Sequence, residues 1–300
     1  MALVIITDSA TDVSQRIKEK YNLHVIPTPV VIDDKDYFDC ETIEPKQFYD
    51  IQRKGAKIST YHVSQQMFYD HFRPFAEKGD AVIYPCFSTG IAGTYQAAML
   101  AVEELKEEFP DFDITVVDSK CASIGFGMIV VMALMMLEQG ATKEEIVDGL
   151  MWHRDHLEHL FTVETLEYLY KGGRVKKTAY IAGGVLDIKP IIEVDDEGKL
   201  VPIEKIRTRK KAIARLVEIA KERSYDLKNS PVGVVHSDCY DTLKAFEETL
   251  KEKYGIEKFI EAQIGCAIGA HTGPGVIGVG FLNEKSPYAD KYNFMDFDFS

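Results

Sequence analysis

The 300 residues carry 48 acidic and 35 basic side chains, a formal net charge of −13. That balance excludes a nucleic-acid or anionic-membrane surface spread over the whole protein, though not local basic patches. The length suits one large or two ordinary domains, and a hydrophobic content of 46% is that of a soluble globular chain.

In chain order, Leu3 to Thr7 is predicted as a strand and Val13 to Tyr21 as a helix. Between them, Asp8 and Ser9 fall just past a strand end, where α/β sheets place ligand contacts. Leu23 to Ile26 and Val30 to Ile32 read as short strands, Pro45 to Arg53 as a helix, and Ser59 to Ser64 as a loop whose Ser64 caps a helix through Phe75. Ala81 to Tyr84 is the next strand. Ile91, Tyr95, Ala98, Val102 and Leu105 then form one apolar helical stripe, running to Glu108. Ile114 to Val117 is another strand, followed by helices over Gly125 to Glu138 and Lys143 to His156. The apolar run Ile124 to Leu137 is too short to span a bilayer and reads as a helix buried on most sides. Strands alternating with helices imply a mostly parallel, doubly wound sheet.

The pattern changes after about residue 158. Phe161 to Val163 is read as a strand and Glu164 to Lys171 as a helix stopped by Gly172 and Gly173. Ile188 to Val194 and Leu200 to Arg207 flank an acidic turn as an antiparallel hairpin, and a helix covers Thr208 to Arg223. Val232 to Val235, a helix from Tyr240 to Tyr254, Lys258 to Gln263, a short helix or turn over Gly265 to Thr272, and a last strand over Gly275 to Phe281 follow. The fold class expected is α/β with two domains: a doubly wound N-terminal domain over 1–158 and an α+β domain over 159–300. The second is taken to include the acidic, aromatic tail from Asn283 to Ser300, which has no clear period.

The five cysteines are scattered, with no CxxC pair and no His at metal-ligand spacing, so reduced thiols in a cytoplasmic protein without structural zinc are expected. The first residues lack the basic n-region of a signal peptide. P-loop, GxGxxG, GxSxG and HExxH motifs are all absent. What remains is a hydroxyl- and glycine-rich turn, Ser88-Thr89-Gly90-Ile91-Ala92-Gly93, between a strand and a helix. Orphan N–H groups, hydroxyls and glycines there suit a small anion; the plainer reading is that Ser88 or Thr89 is only an N-cap. His271-Thr272-Gly273-Pro274-Gly275 puts a histidine on a tight turn, where it suits an anionic ligand. Basic runs at Lys171 to Lys177 and Lys205 to Lys211 are either solvated faces or docking patches.

Taken together these stretches resemble the DegV family of bacterial fatty-acid-binding proteins. Ile5 to Asp12 matches its opening, Ser88 to Gln96 its SSGLSGTYQ, and Val117 to Lys120 its IDSK. Leu166 to Arg174 matches LEYLKKGGR, Ile188 to Ile191 IKPI, Arg207 to Lys211 RTRKK, and Ile268 to Gly275 IGTHTGPG. The resemblance implies two domains with a long-chain fatty acid between them, its carboxylate at the interface and its acyl chain in an apolar tunnel. It further implies a carrier without catalytic residues, metal or cofactor, which presents the acid to a separate ATP-binding kinase subunit for acyl-phosphate formation, with transient membrane contact and no nucleic acid.

The carboxylate site implied consists of Thr60, Ser88, Thr89, Ala92, Gly93, His271 and Thr272. Thr60 stands for the Thr of the family's TSQ motif, followed here by Tyr61 and His62. Ala92 stands where the family has a carboxylate-binding Ser, so one hydroxyl is missing. Arg174 and Arg207 match basic positions suited to a partner or lipid surface. The competing readings are a stand-alone acyl hydrolase or transferase using Ser88 and His271, and an interaction protein with an empty cleft.

Overall fold

Continuous apolar runs, buried on both faces, build the first sheet. Strands β1 (Leu3–Asp8), β2 (His24–Ile26), β6 (Ala81–Cys86) and β7 (Ile114–Asp118) lie in the order β2-β1-β6-β7, every pair parallel. The coordinates are a computed structural model that describes residues 2–177 and 187–297. Ile5, Ile83 and Val117 point to one face of the sheet. There they meet α1 (Gln15–Tyr21), α5 (Ile124–Glu138) and α6 (Lys143–His156). Ile6, Val82, Tyr84 and Ile114 point to the other, under α3 (Gln65–Lys78) and α4 (Thr94–Glu108). This is the doubly wound, parallel arrangement that the strand–helix alternation predicts.

A second sheet has the order β10-β9-β8-β13-β11-β12, mixed in direction. It comprises β8 (Leu157–Thr162), β9 (Ile188–Val194), β10 (Leu200–Arg207), β11 (Gly233–His236), β12 (Ile260–Gln263) and β13 (Ile277–Leu282). One face packs on α8 (Arg209–Arg223) and α9 (Tyr240–Tyr254) through Leu216, Val217, Leu243, Phe246 and Leu250. The opposite face meets α5, buried from Ile124 to Met136 because it lies between both sheets. Two short helices complete this half, α7 (Glu167–Lys171) and α10 (Cys266–Thr272).

Several elements differ from their sequence reading. Lys35–Phe38 and Ile58–Thr60 are strands, β4 and β5, and flank β3 (Pro29–Ile32) in a small antiparallel sheet. They are short and without apolar period. The signal for the hairpin was the Asp33-Asp34 turn, both residues at positive φ (47° and 63°), as a two-residue type I′ connection requires. Thr60 therefore sits on a strand, not in a loop. The α4 helix starts at Thr94 with Gly93 as its N-cap, so neither Ser88 nor Thr89 caps it and Ile91 precedes it. The second sheet's strand β8 already begins at Leu157, directly after α6.

The tail, expected with the second half, returns to α5 and α6. Tyr292, Phe294 and Phe297 are buried in their cluster, Tyr292 donates to Glu145, and Ser286 pairs with the buried His153. An aromatic stretch without helical or strand period still buries itself where a ready apolar surface waits. Its residues 298–300 lie outside the described ones.

Candidate functional site

Local chemistry sets the frame for a cavity between the two sheets. At the end of β1, the Asp8 carboxylate accepts hydrogen bonds from the Ala10 and Phe87 N–H groups (3.0 and 3.1 Å) and from the Tyr84 hydroxyl (2.9 Å). It is buried, and burial pushes its pKa up to about 6 against the pull of those donors. At the end of β7, Asp118 accepts from the Thr89 N–H and hydroxyl and from the Lys120 N–H. Asp118 thus orients the 88–93 turn from outside.

The N-terminus of α10 is held by two buried carboxylates of the first half. Gly265 N–H donates to Asp12 at 2.8 Å and Cys266 N–H to Asp39 at 2.6 Å. A Cβ at Gly265 would stand 2.8–3.1 Å from both carboxylates, which is why glycine is needed there. The other end of this short helix carries His271. Its Nε2 lies 2.7 Å from the Thr60 hydroxyl, and its Nδ1 is buried without a partner. Gly172 supports the ring edge, where a Cβ would stand 2.2 Å from Nδ1. Burial, then the neighbouring Arg174, lowers the His271 pKa to about 4, so the ring is neutral at pH 7. The neutral ring either donates to or accepts from Thr60.

Arg174, expected at a partner or lipid surface, lines this cavity instead. The chain turns back after α7: Gly173 adopts φ 75° and Arg174 N–H returns to the Leu169 carbonyl. The guanidinium is half buried, bonded to the Gly172 carbonyl. Two other matched segments meet at Glu164, which takes Lys189 of β9 at 2.7 Å and Arg209 of α8 at 2.8 Å. Arg207 is exposed at the end of β10.

The cavity has a volume of about 240 Å³. Thr60, Ala92, Gly93, His271 and Thr272 line it, so residues from three separate segments converge there. Ile124, Leu160, Leu169, Val194, Leu200 and Val276 give it an apolar wall. Among the described residues that line it, Arg174 is the only lysine or arginine and Asp8 the only aspartate or glutamate. The first N–H groups of α4, beside Gly93, have no intrahelical partner, and no side chain caps them. Thr272 donates to the Ile268 carbonyl of its own helix at 3.2 Å.

Ser88 and Thr89 are not among the lining residues. Thr89 is spent on Asp118. The Ser88 hydroxyl is fully buried, donates to the Gly198 carbonyl at 2.8 Å and accepts from Gly90 N–H at 3.1 Å. No hydrogen bond joins Ser88 to His271, as a serine nucleophile and its base would require. Sequence reasoning missed His159, a buried ring of the cavity wall that accepts from Ala122 N–H at 3.3 Å. It also missed Asp12 and Asp39 as supports of α10. Their only local sign was a pair of aspartates in turns, one of them inside the matched opening segment.

Among the described residues, no helix is long and apolar enough to cross a membrane. Nor, among the described residues, is any group of three or more His, Cys, Asp or Glu placed to hold a metal.

Comparison with known proteins agrees on one family. Residues 2–284 match the family described as "Uncharacterised protein, DegV family". A DegV domain-containing protein of Clostridium perfringens is 34% identical over 287 residues, covering 95% of this chain and 99% of that protein. Among solved structures, a DegV family protein from Thermus thermophilus, described by its fatty acid binding, superposes with a TM-score of 0.84. The two share 29% identity, with 94% of this chain and 100% of the other covered. A stearic acid-binding protein from Eubacterium ventriosum gives a TM-score of 0.85 at 28% identity, with 93% and 97% covered.

Proposed function

The chain belongs to the DegV family, and on that premise we propose that it binds a long-chain fatty acid in the cavity between its sheets. The observation that carries this reading is an apolar wall with a single cationic side chain, Arg174, beside the Thr60–His271 pair. A carboxylate entering an apolar site loses its hydration, which is very costly unless donors replace the water. Arg174, the Thr60 hydroxyl and the orphan N–H groups at the start of α4 are such donors. A neutral imidazole adds directed hydrogen bonding without a second cation.

The acyl chain supplies most of the affinity. Each buried methylene contributes about 0.8 kcal/mol, so roughly fifteen outweigh the loss of tumbling and chain freedom even after a heavy discount. The missing hydroxyl at Ala92 is then a modest loss, about 0.5–1.5 kcal/mol.

In this reading the protein has no catalysis of its own. It carries the acid in the cytoplasm and presents the carboxylate to a separate ATP-binding kinase subunit, which forms the acyl phosphate. Arg207, Lys210 and Lys211 form an exposed basic corner where β10 meets α8. That corner suits an acidic face of such a partner, or brief contact with a lipid surface. The experiment is organic extraction of the purified protein followed by mass spectrometry. One equivalent of a long-chain fatty acid is expected. An extract without acyl species, from protein that also fails to bind added palmitate or oleate, overturns the proposal.

A further inference from the structure

Thr28 stands between Pro27 and Pro29, just before β3. A residue that precedes proline is kept out of the helical region, so Thr28 is held extended. Its backbone groups are both spent. The N–H donates to Ser9 Oγ at 3.0 Å, and the carbonyl accepts from Asp39 N–H at 3.0 Å. Ser9 in turn gives its hydroxyl proton to Thr28 Oγ1 at 3.1 Å. Thr28 Oγ1 is therefore an acceptor toward Ser9 and keeps its own proton for another partner.

The small antiparallel sheet aims that hydroxyl. β3 and β5 pair with Val30 opposite Thr60, and Tyr61 N–H donates to the Pro29 carbonyl at 3.3 Å, one step further along the ladder. The same register sets Thr28 opposite His62 and diagonal to Thr60. Strand alternation gives Thr28, Thr60 and His62 one face, and all three line the cavity. Diagonal neighbours in such a pair stand about 7–8 Å apart at Cα and closer at their side chains. That is the span of one carboxylate with a hydrogen bond of about 2.7 Å on each oxygen. Ser123 and Thr272, also in the wall, give their protons to Asp12 and to the Ile268 carbonyl.

We propose that Thr28 is a further head-group residue: its hydroxyl binds one oxygen of the ligand's carboxylate while Thr60 binds the other. This rests on the cavity being a fatty-acid site. The pair selects a carboxylate over a head group with a single oxygen. An alcohol satisfies one of the two hydroxyls and leaves the other without a partner, whereas a carboxylate accepts from both and, being charged, accepts more strongly. Thr28 is thus a specificity determinant, and its removal penalises the acid more than the alcohol.

The test is the calorimetric affinity of the full-length protein for oleate and for oleyl alcohol. Thr28→Val keeps the branched shape and removes the hydroxyl; Thr28→Ser keeps the hydroxyl. Thr28→Val should lose about three- to tenfold for oleate, the range expected for one hydrogen bond, and less than about twofold for oleyl alcohol. Thr28→Ser should hold both affinities within about twofold. Should Thr28→Val fold poorly because Ser9 loses its acceptor, Thr28→Ala read against Thr28→Ser carries the test. Unchanged oleate affinity in the hydroxyl-free variant overturns the assignment. So does an equal loss for oleate and oleyl alcohol, or a Thr28→Ser protein as weak as Thr28→Val, because either marks a packing defect. If the unaltered protein binds neither ligand, the acyl reading fails and the role of Thr28 with it.

Discussion

Thr60 Oγ1 and His271 Nε2 lie 2.7 Å apart although 211 positions separate them in the chain. One stands at the end of β5 in the small antiparallel sheet, the other on α10, whose opposite end is bound to Asp12 and Asp39. The pair joins the two halves at the polar end of the cavity.

That pair yields the first prediction. Thr60→Val keeps the shape and removes the hydroxyl, leaving His271 Nε2 without its partner. Affinity for oleate, measured by calorimetry, should fall about three- to tenfold, with His271→Ala similar in direction. If both variants keep the original affinity, the proposed head-group site lies elsewhere.

Arg174 and Arg207 should behave differently, because one lines the cavity and the other is exposed. A hydrogen bond to a charged group is worth about 1.5–3 kcal/mol, so Arg174→Ala should lose about tenfold or more in affinity for oleate. It should lose little for oleyl alcohol, which carries no charge. Arg207→Ala should bind both as before. Equal behaviour of the two variants would contradict the placement of Arg174 in the site.

Ala92 offers a gain rather than a loss. It lines the cavity next to Gly93 at the start of α4. Ala92→Ser restores a donor at the head-group end and should hold the oleate affinity or raise it by up to about tenfold. A pronounced drop in calorimetric affinity would show that no carboxylate reaches this place.

The last prediction concerns acid stability. His153 is buried, paired with Ser286 at 2.9 Å and packed on Phe294. Burial, then His156, lowers its pKa to about 3. An unfolded histidine titrates near 6.5. Below that pH the unfolded chain holds a proton that the native protein refuses, so this site's stability is full above about pH 6.5 and is lost as pH falls toward 3. His153→Gln removes the effect. Its deficit relative to the original protein should shrink by about 2 kcal/mol between about pH 7.5 and about pH 5. Urea denaturation at the two pH values measures this, and a deficit that grows or stays constant contradicts it.

The elements legible in the sequence are those with local causes. The hairpin strands Ile188–Val194 and Leu200–Arg207 have the bounds expected, because an acidic glycine turn separates two β-type runs. Helices Pro45–Arg53, Lys143–His156 and Tyr240–Tyr254 likewise keep the bounds read from their periodicity and caps. Thr60, Ala92, Gly93, His271 and Thr272, all named from the sequence, line one cavity, while Ser88 and Thr89 do not.

Tertiary structure decided the rest, each time because a distant partner outcompeted the local reading. Ser88 looked like a ligand donor until Gly198, 110 residues away, took its hydroxyl. Arg174 looked like a surface charge until the Gly172-Gly173 turn folded it back beside His271. Lys35–Phe38 and Ile58–Thr60 became strands only by pairing with β3. The tail found its place on α5 and α6, a surface that exists only once the first sheet has formed. Periodicity and turn chemistry act over a few residues and can be read from one chain. The direction of a single hydroxyl or guanidinium depends on which remote backbone atom arrives beside it, and no local pattern encodes that.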